Sequence, residues 1–376
     1  MWKTTEGSTG RLLQLCLSYF FFYVITGITV KYFTGKPAFG LPRMKETEFL
    51  VYSTLGGTSL CVVVVLVLRW FKSKSLNLVH WGALTFPREF LYIIPSGICT
   101  AVVIPTTTLM YSLPISVMVA MVIMRASVIV ISRAVDAVQI RQGILHKKVY
   151  IEENIGVVIA LLAASVQIFW VKKGDFDFAH SGVALAILGS YITAYAIRIY
   201  IMNYYKNTRA KGQKLDNKWF FSIEQISACV TMVIVGLFLF HAPLRFGWES
   251  TQLELYRGAF TNPLHLWPWA ILAGMAYGMV AFFSVFIFMF KGRTATFAGL
   301  TNRLTSLVAG TVATLVFYFA FKGSFPKLQD WLSLVFIFIA VGFLSVAERK
   351  RVAELLAAHE IELAVKNAAA TAAAKT

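Results

Sequence analysis

The stretch Pro114–Arg133, PISVMVAMVIMRASVIVISR, is apolar almost throughout and carries one full positive charge at its centre, Arg125. As a helix rising ~1.5 Å per residue it is long enough to cross a bilayer core ~30 Å thick. An arginine in the middle of such a helix costs roughly 2.5–3.5 kcal/mol on insertion scales, so it needs a reason. A second run starting at Thr294, TATFAGLTNRLTSLVAGTVATLVF, repeats the arrangement around Arg303. Aligned on their arginines, the two runs superpose without a gap, and each follows a very short turn, Ser112–Pro114 in one case and Lys291–Arg293 in the other.

Composition generalises the point. Of 376 residues 58% are hydrophobic and only 14% charged, where soluble domains run near 45–50% and 25%. Apolar runs of spanning length fall at about 11–33, 50–70, 90–112, 115–133, 153–171, 182–205, 219–241, 266–290, 294–320 and 329–347. The fold class this predicts is an all-α membrane protein with ten transmembrane helices. The first run follows Lys3 and Arg11 as a signal peptide would, but it has no small-residue cleavage site and leads straight into a second span, so it reads as retained. Cys16, Cys61, Cys99 and Cys229 each lie inside an apolar run, which excludes a disulfide framework. The six histidines show no metal-ligand spacing. No cofactor is implied.

A net charge of +17 would suit a polyanion partner, yet its distribution reports topology instead. Lysine and arginine on the amino-terminal side of the membrane, such as the cluster Lys206, Arg209, Lys211, Lys214 and Lys218, outnumber those on the other side about two to one. The positive-inside rule then puts both termini in the cytoplasm, with the bilayer and not nucleic acid as the macromolecular partner. Ten spans divide into five plus five, residues 1–172 and 173–348, followed by a helical, Ala-rich cytoplasmic tail at 349–376. An odd number of spans per half places the halves oppositely, as an inverted repeat. Arg125 then lies ~12 Å from Arg133 at the inner edge and Arg303 ~15 Å from Arg293, so both sit near the midplane.

Two stretches carry a likeness to a known family. TTTLMYSLPISVMVAMVIMRASVIVISR (Thr106–Arg133) resembles the third-to-fourth-span unit of the drug/metabolite transporter superfamily. TFAGLTNRLTSLVAGTVATLVFYFAFKGSFPKLQDWLSLVFIFIAVGFLSVAER (Thr296–Arg349) resembles its ninth-and-tenth-span unit, with Trp331 and Gly342 in its W…G pattern. A centred arginine in the fourth and ninth spans is similar to the nucleotide-sugar and phosphate-ester translocator branch. That resemblance implies basic residues in these spans holding the anionic part of a substrate. The fourth–fifth connection, VDAVQIRQGILHKKVY, departs from the branch by being longer and lacking its acidic-basic turn.

The candidate substrate-binding residues start with Arg125 and Arg303, whose planar forks suit phosphate or carboxylate. The bland alternative is a structural link to backbone carbonyls or to Glu224. Thr296, Gly299, Ser306 and Gly310 share the face of Arg303, either lining a wet cavity or packing closely. Met118, Met121, Val128 and Ser132 share that of Arg125, with Met121 as a soft wall beside the charge. Tyr191, Tyr195 and Arg198 lie on one face of the sixth span, for stacking on a base or sugar or as part of an aromatic belt, to which Tyr204 and Tyr205 are assigned. Tyr277, Ala281 and Ser284 form a polar stripe in the eighth span, and Tyr23, Thr26 and Gly27 one in the first. Glu224, five residues into the seventh span, offers proton coupling, although its position near the edge favours an interfacial glutamate. Pro105 marks a kink that is either a hinge or static.

Together these point to a secondary active transporter, working by alternating access, of a small organic solute, anionic such as a nucleotide sugar or phosphate ester. The alternative is a proton-coupled exporter of amino acids or amphipathic drugs. No P-loop, Ser/His/Asp set or pair of intramembrane acids suggests an enzyme. A homodimer is compatible with this reading. With no Lys-Lys or KDEL-like ending, the inner or plasma membrane is favoured over the Golgi or endoplasmic reticulum.

Overall fold

A computed structural model describes residues 9–35, 41–72, 78–82, 84–145, 148–170, 176–208, 216–288, 290 and 295–373, with backbone only at 9, 81, 84, 295–301, 355–356 and 358–373. Eleven helices follow in chain order: α1 (Thr9–Phe33), α2 (Glu46–Val67), α3 (Phe90–Ser112), α4 (Val117–Arg141), α5 (Ile151–Phe169), α6 (Gly182–Asn207), α7 (Asn217–Phe246), α8 (Thr251–Thr261), α9 (Trp267–Phe288), α10 (Ala295–Phe321) and α11 (Leu328–Ala373). All except α8 are long and apolar enough to cross a membrane. The chain departs from a purely helical reading in one hairpin, β1 (Leu78–Trp81) against β2 (Leu84–Pro87). Trp81 pairs with Leu84, and Gly82, directly after β1, has a positive φ of 61°, which glycine adopts without strain.

Caps set several helix starts. Ser116 accepts from the Val119 N–H at 3.1 Å to begin α4, two residues after Pro114. Ser181 does the same for α6 and Asp216 for α7. The tight α3–α4 hairpin is held from outside, because the Lys31 ammonium of α1 donates to the Leu113 carbonyl at 2.7 Å, where α3 leaves its last carbonyls unsatisfied. Pro95 and Pro105 both lie inside α3. The hydroxyls of Thr106 and Thr107, next to Pro105, bond back to Val102 and Val103 carbonyls.

The bundle is apolar outside and holds a set of buried polar side chains within an apolar core. Ile234 of α7 is 62% exposed, and Val233, Leu237 and Phe319 are exposed beside other apolar faces. Thr100, Thr107, Gln139, Arg125, Arg198 and Glu224 are buried. Water would penalise such a surface and hydrocarbon accepts it, so this is a multi-pass integral membrane protein.

Neighbouring helices define the frame: α2 packs on α9, α3 on α6 and α7, α1 on α9 and α10, α4 on α5, α6 and α10, and α5 on α11. The α2–α9 contact is the closest in backbone terms. A Cβ on Gly56 would stand 1.9 Å from the Ile271 carbonyl oxygen, and one on Gly274 2.1 Å from that of Ser53. Gly57 and Gly278 face each other one turn further along. Only small residues allow this approach, and Gly274 and Gly278 have the four-residue spacing typical of it.

The α5–α11 pair is tied at both ends. Gln167 Nε2 donates to the Gln329 carbonyl, Asp330 and Ser333 at 3.1–3.3 Å. At the other end Arg351 bonds Glu153 and Glu348, Lys350 bonds Glu152, and Lys148 reaches Glu354 at 2.8 Å. Since α11 has 46 residues, ~69 Å of helix, it runs from the bundle straight into the tail.

Candidate functional site: a tyrosine-lined cavity around Arg125

The centre of α4 is enclosed on all sides, with Met118, Met121, Ile123, Met124 and Val128 at 1% exposure or less. Arg125, in the middle of this stretch, is 4% exposed. Its NH2 donates to the Tyr23 hydroxyl at 2.6 Å and meets the Tyr19 hydroxyl at 3.5 Å. Its guanidinium carbon lies 5.5 Å from the Tyr23 ring centre, within cation–π range. Its Nε has no hydrogen-bond partner among the described residues. Among the described residues no carboxylate pairs with it.

This guanidinium faces a cavity of about 50 Å³. Five tyrosines line it from three helices: Tyr19 and Tyr23 of α1, Tyr191 and Tyr195 of α6, and Tyr277 of α9. Thr100, Val103, Ile104 and Thr107 of α3 and Val280, Ala281 and Ser284 of α9 complete the wall with Arg125 and Arg198. The rings are braced against one another, Tyr19 and Tyr23 at 5.0 Å and Tyr191 and Tyr195 at 5.2 Å between centroids. Behind them the Tyr111 hydroxyl lies 2.9 Å from that of Tyr23 and 3.2 Å from Met121 Sδ. Tyr19 also donates to Asn302 of α10 at 3.3 Å, and Asn302 in turn donates to Ser284 at 3.2 Å. The volume admits a carboxylate- or phosphate-sized group, well below the ~300–1,000 Å³ of pockets that enclose a drug-sized ligand.

Arg198 shares the wall but not the electrostatics. Its Nε and NH2 donate to the two oxygens of Glu224 at 2.8 and 2.9 Å, a bidentate pair, and Ser96 donates to the same carboxylate at 2.7 Å. Glu224 is wholly buried and Arg198 7% exposed. Glu224 is therefore not the interfacial glutamate its sequence position suggests. The reason is Gly97: a Cβ there would stand 2.7 Å from the Glu224 carbonyl oxygen and 2.5 Å from Ser227 Cβ, so its absence lets α3 close directly over α7.

Arg303 is 7% exposed and lies outside the lining of this cavity. It bonds the Ser132 hydroxyl, two turns (~10 Å) along α4 from Arg125, and its Nε has no hydrogen-bond partner among the described residues. Tyr195 and Arg125 of the cavity wall, and Asp136 a further turn along α4, are near enough to interact with it electrostatically. Met121 is buried under Tyr111 against Gly310 of α10 and lies outside the cavity wall. Tyr195, Arg198 and Tyr277 are brought together with Arg125 in the cavity wall. The side chains of Thr296 and Gly299 lie outside the described residues. Tyr205 is fully buried, donating to the Asp216 carbonyl at 3.0 Å, and is no part of an interfacial belt. Sequence reasoning missed Tyr19, Tyr111 and Asn302. The four-residue spacing of Tyr19 and Tyr23 was the available signal for the first.

The fold and site thus define a multi-pass membrane protein with a polar, singly cationic cavity inside an apolar bundle. No family model and no curated protein matches the chain. A solved structure titled "Crystal structure of protein" is similar over 91% of this chain and 99% of its own, at 12% identity and a TM-score of 0.49.

Proposed function

We propose that the protein is a secondary transporter of a small organic anion, held at Arg125 and moved by alternating access. One observation carries this reading: a guanidinium buried at the centre of the helix bundle, with no carboxylate partner among the described residues, facing a small polar cavity. An uncompensated charge there is costly, and an anionic cargo that neutralises it supplies the compensation.

The helix packing supports an inverted repeat. Counting the ten long helices one to ten, a shift by five turns α1–α9 into α6–α3, α2–α9 into α7–α3, and α1–α10 into α6–α4, and leaves α4–α10 and α5–α11 unchanged. Two halves at 1–172 and 173–348 with this exchange symmetry suit rocking about a shared central site. The resemblance to the drug/metabolite transporter superfamily places phosphate esters and nucleotide sugars among the anions to test, and the basic connections support cytoplasmic termini.

The test is counterflow exchange in proteoliposomes loaded in turn with phosphate esters, nucleotide sugars, carboxylates, amino acids and neutral sugars. Uptake of labelled anion driven by unlabelled anion inside is the expected result. Exchange confined to cations or neutral solutes contradicts the proposal.

A further inference from the structure

The cavity's two arginines are not electrically equivalent, and the difference sets how much charge a bound solute brings. Of the residues that line it, only Arg125 and Arg198 are ionic. Arg198 is neutralised by Glu224, which grips it with both oxygens from behind the wall, is itself wholly buried and does not touch the cavity. Ser96 fixes that carboxylate at 2.7 Å. Among the described residues Arg125 has only tyrosine hydroxyls as hydrogen-bond partners, and its buried Nε has none. Arg303, which a doubly charged solute would need as a second grip, bonds Ser132 outside the lining, and Asp136 opposes its charge there although Arg125 also lies within its electrostatic reach. The net charge of the cavity lining, with Arg198 paired to Glu224, is therefore one.

Resting on the anion-site reading above, we infer that Glu224 is a specificity-determining residue: by masking Arg198 it restricts the cavity to singly charged anions such as a carboxylate, sulfonate or phosphodiester. In a desolvated site each unmatched charge is penalised. A neutral solute leaves Arg125 bare. A phosphomonoester dianion brings a second negative charge that meets only hydroxyls and apolar walls. Glu224→Gln keeps a carbonyl oxygen for Arg198 to bond while removing the carboxylate's charge, so it unmasks a second cation within the same wall.

A matched probe pair reads the charge count: methyl phenyl phosphate with one charge, and phenyl phosphate, which carries two near pH 8. Both are offered to purified protein at equal ionic strength, and thermal stabilisation is followed against concentration. The parent is expected to respond to the monoanion at roughly tenfold lower concentration than to the dianion. Glu224→Gln is expected to reverse that order. Arg198→Gln combined with Glu224→Gln returns the count to one and the order to the parent's, whatever its absolute affinity, which separates charge from damage to the pair. Glu224→Gln retaining the parent's order, or the double variant behaving like Glu224→Gln, overturns the inference. A parent stabilised by neither anion instead overturns the anion-site reading on which it rests.

Discussion

Glu224→Ala is expected to lower stability by about 3–5 kcal/mol, since it strands a guanidinium in the interior. The pair it breaks joins α6 to α7, and through Ser96 to α3, with 9% and 0% of the two side chains exposed. Replacing both partners together, Arg198→Met with Glu224→Met, removes the charges along with the need to pair them and is expected to recover most of the loss. Thermal unfolding of the detergent-purified variants measures both. A Glu224→Ala protein that melts with the parent would show that the pair is not holding the three helices.

Gly274→Ala is the second large effect. One methyl group would be placed 2.1 Å from the Ser53 carbonyl oxygen and 2.5 Å from Ser53 Cα, both backbone atoms that no rotamer change can move aside. α2 and α9 must separate, at a cost of ~1–3 kcal/mol or more. The consequence extends beyond stability, because α9 carries Tyr277, Val280 and Ser284 into the cavity wall. Loss of both melting temperature and anion response is expected. Gly189→Ala in α6 is the control, having no atom within 4 Å of its built Cβ. It is expected to be neutral or to gain up to about 1 kcal/mol, because alanine is the better helix former. Equal behaviour of the two variants would refute the close α2–α9 packing.

The ten long helices were legible because each apolar run is long enough to cross a bilayer and is bounded by charge or proline. Edges were less so. α4 continues past Arg133 to Arg141, since a charge at the membrane edge need not end a helix, and Arg133 simply turns to Asn154 of α5 at 3.1 Å. The glycines of α2 and α9 could have been read from their spacing, but their partners lie some 218 residues away. The partnership of Arg198 and Glu224 has no sequence signature either. Twenty-six residues and a helix connection separate them, and only the crossing of α6 and α7 brings them to 2.8 Å. Tyr191 and Tyr195 announced a polar face on their own helix. That Tyr19 and Tyr23 complete it around Arg125 depends on α1 packing against α9 and α10, which no local pattern encodes.

Arg125 is where the account is most directly tested. Anion binding to Arg125→Ala and Arg125→Lys can be followed by ligand-induced thermal stabilisation, each variant first checked for monodispersity and normal expression. Removing the guanidinium takes away one charge-assisted contact and should weaken binding about 10- to 150-fold, the equivalent of ~1.5–3 kcal/mol. Lysine keeps the charge without the fork that reaches Tyr23 and the cargo together, so it should fall between alanine and the parent. A well-folded Arg125→Ala protein that binds the anion as the parent does would contradict the assignment of this cavity as the transport site.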